Sequence, residues 1–325
     1  MLAIVCPGQG SQTPGFLSRW LEVPGVAEHL AELGSIAGLD LAAHGTVSDE
    51  ETIKDTAVAQ PLIVAAGLVA ARVLTDGAPL DLSTVVAGHS VGEITASAIA
   101  GALTEADAIT FVRERANAMA RAAAEAETGM SAVLGGDPDE VLAAIARAGL
   151  TPANANGGGQ IVAAGTLAQL QALAANPPAR ARIIPLKVAG AFHTVHMEPA
   201  MAALEALRPQ LTPLQPVLTL LSNYDGEPVA GGEENLDSLI AQVSRPVRWD
   251  LCMEEMLSTG ITGILELPPA GTLTGLAKRG MKGVATMALK TPDDLDAARA
   301  FVAEHSSIVP AVSDASSVTE SGEVN

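Results

Sequence analysis

The chain opens on a short apolar run, Leu2 to Val5, cut off soon after by Pro7-Gly8. Such a run bounded by turn residues reads as a strand buried on both faces. A polar loop, Gln9-Gly10-Ser11-Gln12, follows, and helical periodicity occupies the next stretch. Its most apolar part, Ala57 to Ala71, contains Gln60 and Pro61 and ends at Arg72. It falls short of the ~18 apolar residues of a membrane span and is expected to be a core helix. Ser83 to Ala87 is a second, Val-rich strand that runs directly into Gly88-His89-Ser90-Val91-Gly92 and a small-residue helix, Glu93 to Ala102. Ile109, Val112, Ala116 and Met119 recur at spacings of three and four, which predicts a long helix over Glu105 to Glu127, ended by Gly129.

After residue 130 the pattern changes. Strands are expected at Met130 to Leu134, Leu150 to Ala155, Gln160 to Ala164 and Arg182 to Val188, and helices at Asp137 to Ala148 and Leu167 to Ala175. The order βαββαβ closes on itself as a ferredoxin-like unit, one antiparallel sheet covered by two helices. Residues 129–190 are therefore expected to be a subdomain inserted into a main domain of residues 1–128 and 191–304. The remainder alternates again: a helix at Glu198 to Leu207, a strand at Val217 to Leu221, a helix from Val247, a strand at Ile264 to Leu267 and a helix after Gly271. The expected fold class is α/β, an α/β-hydrolase-like parallel-sheet main domain with the ferredoxin-like insert. Residues 305–325 are Ser-rich, carry Asp314, Glu320 and Glu323 without Lys or Arg, and are expected to form a mobile tail.

Composition narrows the function. Lys and Arg total 18 against 37 Asp and Glu, a net charge of −19 that repels phosphate backbones and anionic lipid, so neither nucleic acid nor a membrane is an expected partner. Hydrophobic residues reach 48% and charged ones only 17%, the reverse of a disordered chain. Cys6 and Cys252 each lie among apolar residues and are expected to be free, buried thiols; no metal site is expected. The N-terminus lacks the basic and long apolar regions of a signal peptide, so a cytoplasmic location is expected.

Gly88-His89-Ser90-Val91-Gly92 matches the GxSxG nucleophile elbow, a sharp strand-to-helix turn whose glycines let neighbouring backbone pass close. It lifts Ser90 to a helix N-terminus, where free N–H groups and the helix dipole stabilise an oxyanion. A serine nucleophile needs a base, and the chain has six histidines. His89 adjoins Ser90, where an elbow turns the side chain away, and His305 precedes the tail. His193 and His196, three apart at what reads as a helix start, are the candidates. His29 and His44, with whichever of that pair is not the base, read as surface polar groups.

Further stretches, Pro7-Gly8-Gln9-Gly10-Ser11-Gln12, Arg115 with Met119, Phe192-His193, Pro246-Val247-Arg248-Trp249 and Leu273-Thr274-Gly275-Leu276-Ala277-Lys278-Arg279, stand in order with the elbow. Together they resemble the malonyl-CoA:acyl carrier protein transacylases of type II fatty acid synthesis and the acyltransferase domains of polyketide synthases, over residues 1 to about 300. The resemblance implies Ser90 as the acylated nucleophile and His193 as its base, oriented by the main-chain carbonyl of Arg248. Gln9 and Val91 would supply the oxyanion-hole N–H groups. Arg115 would hold the malonyl carboxylate; a planar guanidinium matches a carboxylate in a two-bond fork and keeps its charge when desolvated. Arg113 and Arg121 are rivals on the same helix, and Arg113, about 200° around, is expected to face solvent. Met119, Phe192 and Asn156 are pocket candidates, with Asn154 and Gln160 beside the last. Pro268-Pro269-Ala270-Gly271 stands where many relatives carry Gly-Pro-Gly.

The implied activity is ping-pong transfer of malonyl from malonyl-CoA, through malonyl-serine, to the phosphopantetheine thiol of an acyl carrier protein. No cofactor is expected, and a monomer suffices. The alternatives are a serine esterase or thioesterase using the same elbow, a trans-acting polyketide acyltransferase, and a carrier-binding scaffold without activity. Because carrier proteins of this pathway are acidic, a basic cluster of Lys278, Arg279 and Lys282, with Lys187, is the expected docking patch.

Overall fold

The computed structural model describes residues 1–306. The strands are β1 (Leu2–Cys6), β2 (Val85–Gly88), β3 (Thr128–Gly135), β4 (Thr151–Gly157), β5 (Gln160–Thr166), β6 (Ala181–Pro185), β7 (Thr219–Leu220), β8 (Val247–Arg248), β9 (Gly263–Glu266) and β10 (Ala285–Ala288). They form two five-stranded sheets. The first has the order β10-β9-β1-β2-β7 and is parallel throughout. Its central strand, Leu-Ala-Ile-Val-Cys, is fully buried, as a parallel strand covered by helices on both faces must be.

One of those covering helices, Thr56–Thr75, has 20 residues and is longer than the Ala57 to Ala71 stretch suggested. By length and apolarity alone it could cross a bilayer, but it is buried against protein along most of its length. The helix Glu105–Ala123 stops short of Glu127, because residues 124–127 are exposed and have no face to pack. His305 closes the buried end of the helix Leu295–His305 and so belongs to the folded body. The rest of the expected tail, residues 307–325, lies outside the described residues.

The second sheet has the order β6-β3-β5-β4-β8. Its first four strands pair antiparallel and derive from the continuous segment Thr128–Pro185, with helices Pro138–Arg147 and Leu167–Ala175 between them. β8 comes from beyond that segment and pairs parallel with β4, Asn154 opposite Val247 and Ala155 opposite Arg248. This strand replaces the start of the helix expected from Val247, which begins instead at Trp249. It covers the open edge of β4 and ties the second sheet to the rest of the chain.

Candidate active site

β2 ends at Gly88 and the helix Gly92–Ile99 follows after three residues, so the turn between them is tight. Ser90 takes φ +54°, the left-handed region, which costs a non-glycine residue on the order of 1 kcal/mol. A Cβ on Gly92 would strike the Cys6 carbonyl, and one on Gly88 the backbone of Gly92 and Glu93, so both glycines are steric requirements of the elbow. His193 is also left-handed, φ +62°. It sits in a turn ahead of the short 3-10 helix Val195–Met197 rather than on a common helix with His196, and His196 lines no part of the site.

Ser90 Oγ lies 2.8 Å from His193 Nε2, and His193 Nδ1 lies 2.8 Å from the main-chain carbonyl of Gln242. A carbonyl only accepts, so Nδ1 carries the proton and Nε2 presents the lone pair that receives the serine hydroxyl. Burial, reinforced by the positive charge of Arg115, pushes the His193 imidazole down to about 3. It is therefore a neutral acceptor at ordinary pH.

The orienting carbonyl thus belongs to Gln242, not Arg248. Gln242 is the last residue of the helix Gly232–Gln242, where terminal carbonyls have no intrahelical partner. Arg248 is committed elsewhere: its N–H donates to Asn223 O at 2.8 Å, and its guanidinium forks onto Asp250 at 2.9 and 2.8 Å.

Arg115 is fully buried on the inward face of its helix, between Phe111 and Met119. Its Nη1 donates to Gln60 Oε1 at 2.7 Å and its Nη2 to Gln242 Oε1 at 2.8 Å, while Nη2 also stands 3.5 Å from Ser90 Oγ. Nε has no partner. Burial lowers the guanidinium to about 10, still protonated at neutral pH. Glu93, also fully buried, accepts from the Asn223 N–H and from Gln242 Nε2. Burial pushes its carboxyl up to about 8 against the pull of those donors and of Arg115. The cation beside the nucleophile is held by neutral amides, and among the described residues no carboxylate lies within ion-pair distance of it. Arg113 does not reach solvent freely as expected; it donates to Ile36 O at 2.8 Å, and Arg121 pairs with Glu114 at 3.0 Å.

Among the described residues, the main-chain N–H groups of Gln9 and Val91 donate to no protein acceptor. Ser90 N–H, by contrast, is taken by Asn223 Oδ1 at 2.8 Å. The Gln9 side chain is tethered to Lys54 O, Thr56 Oγ1 and Gln60, which fixes the loop over the elbow.

Ser90 and His193 line a cleft of about 580 Å³ between the two sheets, with Met119, Phe192 and Asn156 on its walls. Asn156 Oδ1 accepts from His89 Nε2 at 2.8 Å and its amide donates to Gln160, so His89 is turned away from Ser90 and braces the wall. Lys187 also lines the cleft. Lys278, Arg279 and Lys282 are exposed at the far end of the helix Thr272–Gly280, whose Thr272 and Leu273 border the cleft. None of the three has a carboxylate partner among the described residues. His29 is buried rather than on the surface, bonded to Glu105 at 2.8 Å.

Four residues of the site were not found from the chain alone: Gln60, Glu93, Asn223 and Gln242. Gln60 carries a usable signal, an amide inside an otherwise apolar helix. Glu93 closes the elbow motif itself. Asn223 and Gln242 carry none, because the site groups they hold, the Ser90 N–H and the Arg115 guanidinium, lie more than a hundred residues away in sequence.

The acyl transferase domain model matches residues 3–307. The malonyl CoA-acyl carrier protein transacylase of Mycobacterium tuberculosis is 51% identical over 297 residues, covering 91% of this chain and 98% of that protein. A crystal structure of the MCAT from the same organism superposes with a TM-score of 0.87 at 50% identity, over 92% of this chain and 99% of that one. A type II PKS acyl-carrier protein in complex with its malonyl-transacylase gives a TM-score of 0.85 at 30% identity, over 92% and 99%. An elbow serine, a histidine held by a main-chain carbonyl and a buried arginine beside them, in a chain this similar throughout, place the protein in the acyl transferase family, among the malonyl CoA-acyl carrier protein transacylases.

Proposed function

We propose that the protein moves a malonyl group from malonyl-CoA to the phosphopantetheine thiol of an acyl carrier protein. The observation that carries this reading is the buried Arg115 guanidinium 3.5 Å from Ser90 Oγ, with no carboxylate within ion-pair distance of it among the described residues. A buried cation favours an acyl group that brings a carboxylate, and a site for neutral acyl chains has no use for it. His193 Nε2 takes the Ser90 proton as Oγ attacks the thioester carbonyl. The negative oxygen formed there is met by the free N–H groups of Gln9 and Val91. Collapse expels the CoA thiolate, which takes the proton from His193 and leaves malonyl-Ser90. In the second half the carrier thiol gives its proton to His193, attacks the ester carbonyl and restores Ser90.

The segment Thr128–Pro185 serves as a ferredoxin-like subdomain, its strand order and antiparallel pairing supporting that description, on an α/β-hydrolase-like body formed by the chain before and after it. The reading calls for no more than a monomer, and no step calls on a cofactor. The unpaired cations Lys278, Arg279 and Lys282 would receive an acidic carrier. The experiment follows malonyl-CoA consumption with and without carrier protein. Malonyl on the carrier thiol is the expected product; free malonate at the same rate in both would identify a hydrolase instead.

A further inference from the structure

Among the described residues, the cleft is lined by two lysines, Lys54 and Lys187, and one carboxylate, Glu50. The three are joined. Lys54 Nζ lies 2.6 Å from Glu50 Oε1, and Lys187 Nζ lies 3.5 Å from the same oxygen. Lys54 and Glu50 belong to the short helix Glu50–Lys54, whereas Lys187 follows β6, so the cluster joins the two sides of the cleft mouth. Both lysines hold the Glu50 carboxyl below its ordinary value, Lys54 foremost. The cluster therefore carries two positive charges and one negative, a local surplus in a chain of net charge −19.

We propose that Lys54 and Lys187 form a seat for the phosphate of the phosphopantetheine arm, and that Glu50 occupies it in the free enzyme. This rests on the reading of the protein as a malonyl transferase. Both substrates of that reaction then present the same arm, its sulfur at one end, as the malonyl thioester in malonyl-CoA and as the free thiol on the carrier, and a phosphate at the other. With the sulfur end of the arm at Ser90, the phosphate lies outward along the cleft, where its two non-bridging oxygens, sharing the negative charge, can draw both ammonium groups from a single carboxylate oxygen. Lys187 is free to swing, its side chain 78% exposed. The seat serves both half-reactions because the phosphate is common to them, and Glu50 keeps the lysines gathered without an extra net charge when the cleft is empty.

The test compares three malonyl thioesters on wild-type enzyme, K54M/K187M and E50Q: malonyl-pantetheine, malonyl-4′-phosphopantetheine and malonyl-CoA. Methionine keeps the lysine stem and removes the charge. The readout is the gain in kcat/KM that the arm phosphate confers, malonyl-4′-phosphopantetheine over malonyl-pantetheine. In K54M/K187M that gain is expected to fall by about tenfold or more, since two charge-assisted contacts are lost, and to lose most of its salt dependence. In E50Q it is expected to rise, because the competing carboxylate is gone. An undiminished gain in the double variant overturns the seat, and so does a gain that falls in E50Q. If only malonyl-CoA responds, the lysines read the nucleotide phosphates and the arm assignment is wrong. Failure of wild-type enzyme to acylate Ser90 with any of the three would refute the malonyl-transfer reading itself, a result separate from these.

Discussion

Replacing Arg115 by Ala tests the selectivity of the site for an anionic acyl group. In the free enzyme two of the guanidinium nitrogens are held by Gln60 and Gln242 at 2.7 and 2.8 Å, and Nη2 also stands 3.5 Å from Ser90 Oγ. A malonyl group on Ser90 carries its carboxylate one carbon beyond the attacked carbonyl, within reach of that nitrogen. Truncating one partner of a buried, hydrogen-bonded charge pair costs about 2–5 kcal/mol, so malonyl-CoA should lose roughly 30-fold to more than 10³-fold in kcat/KM. Acetyl-CoA makes no such pair and should lose far less, or gain. The ratio of the two values, measured on the same preparation, cancels any general loss of folded enzyme. Because the change leaves Gln60 and Gln242 with unfilled acceptors, Arg115→Lys is the companion variant; it keeps the charge but not the fork, and its ratio should lie between the two. An unchanged malonyl-to-acetyl ratio in Arg115→Ala would refute the assignment.

Further expectations follow from the same network. His193 is held near 3 by burial and by Arg115, so the acid limb of kcat/KM for malonyl-CoA should lie well below the ordinary histidine value of 6.5; an acid limb at 6.5 would show a solvated imidazole. Glu93 is raised from 4.5 to about 8, so between these values the folded chain binds a proton that the unfolded chain releases, and this group's stabilisation is lost as pH rises through that window. Glu93→Gln should remove that decline, read as Tm against pH from 5 to 8.5, and an unchanged slope would exclude it. Burial pushes both Cys6 and Cys252 thiols upward, so a thiol reagent should label neither until the chain unfolds; rapid labelling of native protein would contradict their packing.

What could be read along the chain was what local chemistry decides. Leu2 to Val5 could only be a buried strand, and the elbow's glycines announce a turn that no other residue fits. The βαββαβ order of Thr128–Pro185 was legible because each of its two helices starts on its own N-cap, Asp137 for Pro138–Arg147 and Thr166 with Gln169 for Leu167–Ala175. β8 and β10 were not legible: Val247-Arg248 is a strand only because the edge of β4 is there to pair, and Ala-Thr-Met-Ala has little strand preference away from β9. The same division runs through the site. Ser90, His193 and Arg115 stand in recognisable segments, whereas the carbonyl that orients His193 is chosen by where a distant helix ends, and the family resemblance pointed to Arg248 instead of Gln242.

The proposed transfer runs through a covalent malonyl-serine intermediate handed on to a thiol. Intact-mass analysis of the enzyme after mixing with malonyl-CoA, followed by peptide mapping and then by addition of holo carrier protein, reads both steps in turn. One malonyl group is expected on Ser90, absent in Ser90→Ala and discharged onto the carrier when it is added. Malonylation that persists in Ser90→Ala, or an adduct on Ser90 that holo carrier protein leaves in place, would contradict it.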